Sequence, residues 1–303
     1  MCKLPLERTA LKKYREAGKI ARKVREDVRS FVREGMAVIE VCEWVEDKIR
    51  RLGGQPAFPC NVSINHIAAH YTSPPNDKSL IPEDSLVKVD IGVHMDGYIA
   101  DTATTICFNP ELKFLEETSM QALMKGIEII QPGISTSEFG SAIQRFIESR
   151  GLKPISNLTG HQIDRYLIHA GKSLPNVSHF SLSKIREGEI FAIEPFVTTR
   201  DGAGRVRDGP PGNIYRLVKQ KSVKDPEAKR VLTYIKNHYR TLPFAERWLR
   251  KVFPRKILDE AFQKLLRSRI LMVYPVFVEA KGKPVAQAEH TVLITRNGCE
   301  VLT

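Results

Sequence analysis

The chain has 303 residues, a net charge of +12, 42% apolar and 27% charged residues, a globular composition rather than a disordered or collagenous one. No apolar run approaches the roughly 18 residues of a membrane span, and the charged start MCKLPLERTALKKYREAGKIARKVRE lacks the apolar core of a signal peptide. Five cysteines, at 2, 42, 60, 107 and 299, are odd in number and show no CxxC spacing, which predicts reduced thiols in a cytoplasmic protein, not a disulfide scaffold.

In chain order, Leu11, Tyr14, Ala17, Ile20, Val24, Val28 and Phe31 recur at three- and four-residue steps and predict an amphipathic helix over 7–34, ended by Gly35. A second helix is expected over 40–52, stopped at Gly53-Gly54. Strands follow near 57–64 and in a hairpin over 85–107. PELKFLEETSMQALMKGIEII reads as a helix ended by Pro132-Gly133. STSEFGSAIQRFIESRG is another, with Ser135 or Thr136 as N-cap and Gly151 as C-cap. EIFAIEPFVTT is a strand, and residues 217–268 read as basic helix broken at Pro243 and Pro254. ILMVYPVFVEA and AQAEHTVLITRNGCEVL close the chain as strands, the second a hairpin about Arg296-Asn297-Gly298. There is no βαβ cadence, no glycine-rich phosphate loop and no strong internal repeat, so the basic helical block looks like an insertion into a strand-rich region.

Charge is segregated. Between Arg205 and Lys256, fifteen Lys/Arg stand against four acids, Asp208, Asp225, Glu227 and Glu246. That net +11 is nearly the whole excess of the chain, and it suggests an anionic partner. The plainer reading is a solvated helical face.

The hairpin VKVDIGVHMDGYIADTATT carries Asp90 and Asp101 inside its strands, where Asp is disfavoured and costly to bury unpaired. With a loop at Met95-Asp96, position 90 pairs with 101. With a loop at Asp96-Gly97, 90 pairs with 103 and 101 lies one diagonal step away. Either register brings two like charges together, so a cation is expected between them. Arg or Lys salt bridges are the simple candidates.

Four further stretches break the apolar pattern. IAAHYT holds His70, LTGHQIDRYLIHAG holds His161 and His169, FAIEPFV holds Glu194, and AQAEHTVLI holds Glu289. A lone strand Glu is more often salt-bridged, and a lone His more often structural. As a set, Asp90, Asp101, His161, Glu194 and Glu289 offer four carboxylates and one imidazole. Hard ligands without cysteine suit two divalent ions better than a tetrahedral structural zinc.

These segments, in this order, resemble a methionine aminopeptidase of type 2, in its compact archaeal-like form. The resemblance rests on the D-I-G and D-G-Y-I-A-D-T-A hairpin, PAFPCNVSINHIAAHYTSP, NLTGHQIDRYLIHAGKSLPN, AIEPF and AQAEHTVLI, and runs from about residue 7 to the C-terminus. It implies an α+β pita-bread (creatinase/aminopeptidase) fold, an antiparallel sheet covered by helices. Residues 1–204 and 269–303 would form the catalytic domain, and 205–268 the basic helical insertion subdomain of type 2.

It also implies chemistry. Asp90 would bind one metal, Asp101 and Glu289 would bridge two, and His161 with Glu194 would complete the other. Two divalent ions (Co, Mn, Fe or Zn) would share a hydroxide that attacks the first peptide bond after an N-terminal methionine, when the second residue is small. The free α-amine would bind at the metal centre, Glu194 would carry the proton, and His70 and His169 would stabilise the oxyanion or orient the scissile amide. Phe58, Ile168, His169, Tyr274 and Ile214, with His70, would line the substrate pocket. The chain's own Met1-Cys2 start would be a substrate. The expected partners are nascent polypeptides and, through the basic block, ribosomal RNA; no membrane contact is expected, and a cytoplasmic monomer is.

The remaining histidines are expected to be ordinary. His290 should face away from Glu289 by strand alternation, His94 should be solvated at the hairpin turn, and His66, His179 and His238 match no ligand position. Two rivals remain. A same-fold Xaa-Pro aminopeptidase or prolidase usually carries a large extra N-terminal domain, whereas about 65 residues precede His70. A non-catalytic ribosome- or RNA-binding relative would have lost ligands, and all five are present.

Overall fold

The computed structural model describes residues 7–303, so the expectation for Met1-Cys2 lies outside the described residues. Four helices precede the predicted insertion: α1 (Arg8–Phe31), α2 (Val38–Arg51), α3 (Lys113–Ile129) and α4 (Thr136–Ser149). The apolar stripe of α1 is buried at Tyr14, Ala17, Val24 and Val28, as its spacing predicts, and Leu11, Ile20 and Phe31 are partly buried. Gly18 on that stripe admits the C-terminal segment: a Cβ there would lie 2.3 Å from the Leu302 carbonyl oxygen. Of the two N-cap candidates for α4, Ser135 takes the role, in a reciprocal capping box with Glu138.

The first strands are β1 (Gln55–Pro56), β2 (Asn61–Ile64), β3 (Ile67–Ala69), β4 (Leu86–Met95) and β5 (Tyr98–Cys107). Then come β6 (Lys153–Pro154), β7 (Thr159–Ile163), β8 (Ser173–Pro175), β9 (Ile190–Ile193), β10 (Phe196–Thr198), β11 (Val206–Leu217) and β12 (Phe244–Ala245). β13 (Leu271–Glu279), β14 (Val285–Gln287), β15 (Glu289–Thr295) and β16 (Gly298–Val301) close the chain. The main sheet is antiparallel in the order β1-β4-β5-β15-β9-β7-β8, with β2 also on β4 and β16 on β15. A small sheet β14-β10-β6 and a four-stranded sheet β12-β11-β13-β3 adjoin it. α1 and α2 share one apolar core with β2 and the β4–β5 hairpin, and α3 and α4 share another with β9 and β15.

The hairpin register chooses between the two alternatives. Asp90 pairs with Ala103 and Gly92 with Asp101, so the turn is Asp96-Gly97, both at positive φ (50° and 88°), as a two-residue hairpin favours.

The predicted insertion is not all helix. Its first part is β11, paired with β13 along its length through register shifts around Pro211. Prolines at 210 and 211 hid this strand, because proline interrupts a ladder and is tolerated at such irregularities. Helices follow as α5 (Pro226–His238), α6 (Glu246–Arg250) and α7 (Arg255–Arg267), around their own core of Val231, Ile235, Leu249, Leu258 and Leu265. Arg247 and Trp248 of α6 anchor this unit to α2. The Trp248 Nε1–H donates to Glu46 Oε2 at 2.7 Å, Arg247 pairs with Glu46, and both partners of that ion pair are under 5% exposed. Arg247 is thus not one of the surface charges the basic block suggested. Among the described residues no helix is long and apolar enough to cross a membrane, and Cys42, Cys60, Cys107 and Cys299 are free thiols.

Candidate metal centre

Strand alternation and register assemble two adjacent rows across the main sheet. In one row Asp90, Ala103 and Glu289 lie side by side on β4, β5 and β15. In the next, Gly92 faces Asp101, and across β15 Thr291, Ala192 and His161 follow. Glu194 enters just beyond the end of β9, where Pro195 interrupts the predicted single strand. Gly92, Ala103 and Ala192 keep the floor between the polar side chains low.

The ligand atoms converge. His161 Nε2 lies 3.4 Å from Glu194 Oε1 and 3.7 Å from Asp101 Oδ2. One donor atom each from Asp101, His161 and Glu289 fits within 4.8 Å of the others. The Nδ1–H of His161 donates to the Ile168 carbonyl at 2.8 Å, which leaves the Nε2 lone pair facing the carboxylates, the tautomer a metal needs. The Oδ1 atoms of Asp90 and Asp101 are buried without a hydrogen-bond partner.

The electrostatics ask for a cation. Burial pushes the Asp90 carboxyl up to about 6. Burial, followed by repulsion from Asp90, holds Asp101 well above the carboxylate range; burial, followed by Asp101, does the same to Glu194 and Glu289. Burial drives His161 down to about 3, so it is a neutral donor. Among the described residues no Lys or Arg forms an ion pair with these carboxylates, so the simple salt-bridge candidates are absent. Lys88, two positions from Asp90 on the same face, spends its Nζ on the carbonyls of Asn65 (3.1 Å) and Val285 (2.7 Å). Four converging carboxylates, one oriented imidazole and orphaned buried oxygens fit hard divalent cations.

A cavity of about 240 Å³ opens beside this cluster, and Phe58, His70, Ile168, His169, Ile214 and Tyr274 all line it. The Phe58 ring packs against Gly92, where a Cβ would come within 2.3 Å of it. His70 has a left-handed backbone, φ 65°. Burial holds its imidazole down to about 4, and its Nδ1 has no partner. The His169 ring centroid is 4.4 Å from that of His161. Burial, then the nearby Arg216 charge, lowers its pKa.

Sequence reasoning missed three buried polar neighbours of the ligands. Asn61, opposite Asp90 on β2, donates from Nδ2 to Asp90 Oδ2 at 3.2 Å. Thr291 Oγ1 accepts from the Asp101 N–H (2.7 Å) and donates to its carbonyl (2.8 Å), replacing the backbone ladder where β5 and β15 part. Lys88 is the third. Its signal was the same-face period, 88 to 90 to 92. Of the other histidines, His290 faces away as expected, toward Arg25 and Thr303, and His66 and His179 are exposed. His238 bonds the Tyr234 carbonyl within α5. His94 differs from expectation: it is half-buried, its Nδ1 accepts the Gly97 N–H at 3.1 Å, and burial lowers its pKa to about 4.

Fold and site together define a metallopeptidase, and the chain belongs to metallopeptidase family M24, whose profile matches residues 12–218. It is 46% identical to a methionine aminopeptidase of Methanocaldococcus jannaschii, over 98% of this chain and 100% of that one. Among solved structures, a methionine aminopeptidase from Thermotoga maritima superposes with a TM-score of 0.71 at 23% identity, covering 98% of this chain and 97% of that one. A thermophilic Arx1 superposes at 0.83 with 18% identity, covering 98% and 91%. These likenesses give the pita-bread architecture. The activity that the close relatives carry is metal-dependent removal of N-terminal methionine.

Proposed function

We propose that methionine removal takes place at the Asp90, Asp101, His161, Glu194 and Glu289 cluster, with two divalent ions, on polypeptides whose second residue is small. The convergence of four carboxylates on one face without a Lys or Arg counter-charge carries this reading. Bound ions would supply Lewis acidity and an acidified water. Asp101 and Glu289 stand between the outer ligands and suit the bridging role, with Asp90 on one side and His161 and Glu194 on the other.

The protein groups do the rest. Glu194, whose buried carboxyl holds a proton readily, passes it to the departing amine. His70 is neutral, and its buried Nδ1 has no hydrogen-bond partner, which leaves that nitrogen free to orient the scissile amide. His169, beside His161, faces the developing oxyanion. Phe58, Ile168, Ile214 and Tyr274 hold the methionine side chain, each an apolar or aromatic wall of the cavity.

The test uses EDTA-stripped protein with Mn, Fe, Co or Zn added back, assayed on Met-Ala-Ser and on an Xaa-Pro peptide. Cleavage of Met-Ala-Ser only with metal is expected. Full activity in the stripped protein would defeat the metal assignment, and preference for Xaa-Pro would restore the prolidase rival.

The protein is further read as a cytoplasmic monomer that meets nascent chains at the ribosome through its basic segment. Lys219, Lys221, Lys224, Lys229 and Arg230 are all exposed, and only Arg230 has an ion-pair partner among the described residues, Glu227 at 3.5 Å. Binding to RNA phosphate releases counterions, so co-sedimentation with ribosomes should fall steeply with salt. Changing these five residues to Glu should abolish it while leaving small-peptide cleavage intact. Equal sedimentation of variant and wild type at low salt would reduce the segment to a charged surface.

A further inference from the structure

Arg216 has no use in the site as described. It lies on β11 two residues beyond the pocket wall Ile214, on the same face by strand alternation, and is paired with Met272 of β13. Its Nη2 reaches only the Met272 sulfur, at 3.7 Å, a weak acceptor. Its guanidinium stands 5.8 Å from the centroid of the Tyr274 ring. Its Nε is buried and has no hydrogen-bond partner. Among the described residues it makes no ion pair, unlike Arg247 and Arg250 on the neighbouring α6, which hold Glu46, Glu246 and Asp259. A partly buried guanidinium with its donors unspent is costly unless something accepts from it.

Arg216 does not itself line the cavity but stands beside Tyr274, which does. Two short chains of rings lead from the cluster toward it. His161 is followed by His169, centroids 4.4 Å apart. His70 is followed by Tyr274, centroids 5.3 Å apart, and Tyr274 carries Arg216. Arg216 therefore stands one side-chain layer outside the reacting centre. An extended peptide advances about 3.3 Å per residue, so with methionine in the pocket and the second residue over the cluster, the third residue arrives at that layer. A planar fork with free N–H groups selects a carboxylate.

We propose that Arg216 forms a carboxylate subsite for the third residue of the substrate, favouring Asp or Glu there. In a tripeptide the terminal carboxylate occupies the same place. The inference rests on the aminopeptidase activity and adds a selectivity to it.

The test compares kcat/KM for Met-Ala-Asp, Met-Ala-Asn and Met-Ala-Lys as C-terminal amides, and for Met-Ala-Asn as free acid and amide. The metal-loaded wild type is set against Arg216→Gln, Arg216→Glu and Arg216→Lys. Each ratio is internal to one protein, so a general loss of activity in a variant does not enter it. Wild type should favour Asp over Asn by about 5- to 10-fold, mainly through KM, less so in high salt. Arg216→Gln should bring the ratio to about one, Arg216→Glu should favour Lys, and Arg216→Lys should keep the sign with a smaller ratio. A free-acid preference that vanishes in Arg216→Gln, without an Asp preference, would assign the subsite to the chain terminus alone. Equal cleavage of all peptides by wild type overturns the proposal whatever the variants do, and so does an Asp preference that survives in Arg216→Gln. Failure to release methionine from any of them would instead strike the activity itself.

Discussion

His70 sits in the left-handed backbone region with its ring packed between Tyr274 and Phe277, at 5.3 and 4.6 Å. Such a backbone costs a non-glycine residue roughly 1–2 kcal/mol, and the surrounding aromatic packing holds it there. Because burial keeps the imidazole at about 4, it is neutral across the working range. His70→Ala should therefore leave metal content unchanged and lower kcat by roughly 10²–10⁴-fold. Its loss should not remove a limb of the pH profile near neutrality. Wild-type kcat with only a raised KM would reduce His70 to a binding residue. At this scale the sequence was legible where polar residues broke apolar strands: His70, Glu194 and Glu289 stand out in IAAHYT, FAIEPFV and AQAEHTVLI. Asn61 and Lys88 were not, because Asn at a strand start and Lys in a strand both look like surface residues until the pairing is known.

The anchor between α2 and α6 is an element-scale device. Removing one member of a buried ion pair strands the other, at about 3–5 kcal/mol. Glu46→Ala leaves the Arg247 guanidinium and the Trp248 Nε1–H without their acceptor. It should lower the denaturation midpoint accordingly, with early loss of amide protection in α5 to α7. A shift below about 1 kcal/mol would mean that water replaces the carboxylate easily. Elements with a clean local signal were legible, such as α1 from its stripe and α4 from its N-cap candidates Ser135 and Thr136 and the closing Gly151. β11 was not: Pro210, Pro211 and Gly212 read as a break, and only its partner β13 makes it a strand.

For the whole molecule, the metal centre couples folding to pH. Without ions, a carboxyl raised from 3.8 to about 6, as Asp90 is, gives stability that is complete below about 3.8 and lost as pH rises through 6. Burial lowers the histidines 70, 94, 161 and 290, and these run the opposite way, adding stability as pH rises toward 6.5. The clean observable is the difference between metal-loaded and stripped protein, because only the ligand carboxylates must release protons to bind ions. The gain in Tm on adding Mn should be larger at pH 7.5 than at pH 5, and binding should release protons at pH 5 to 6. An equal gain at both would mean that the carboxylates are already ionised in the stripped protein. The fold class was legible from the order of the motifs. The arrangement of the two ligand rows was not, since pairing β5 with β15 and β9 with β7 joins residues far apart in the chain.

Gly92 lies opposite Asp101 and two residues along β4 from Asp90, and the Phe58 ring rests where its side chain would be. On the proposed assignment, the width of the methionine pocket is thus gauged by a missing methyl group on the strand that also carries Asp90. Any larger residue at 92 would lift the ring into the cavity and narrow it, so the enzyme would be retuned toward shorter first residues without any ligand being touched. On the proposed assignment, one determinant of selectivity for the first amino acid and one metal ligand are written on one strand two positions apart, and a change at the first disturbs the neighbourhood of the second.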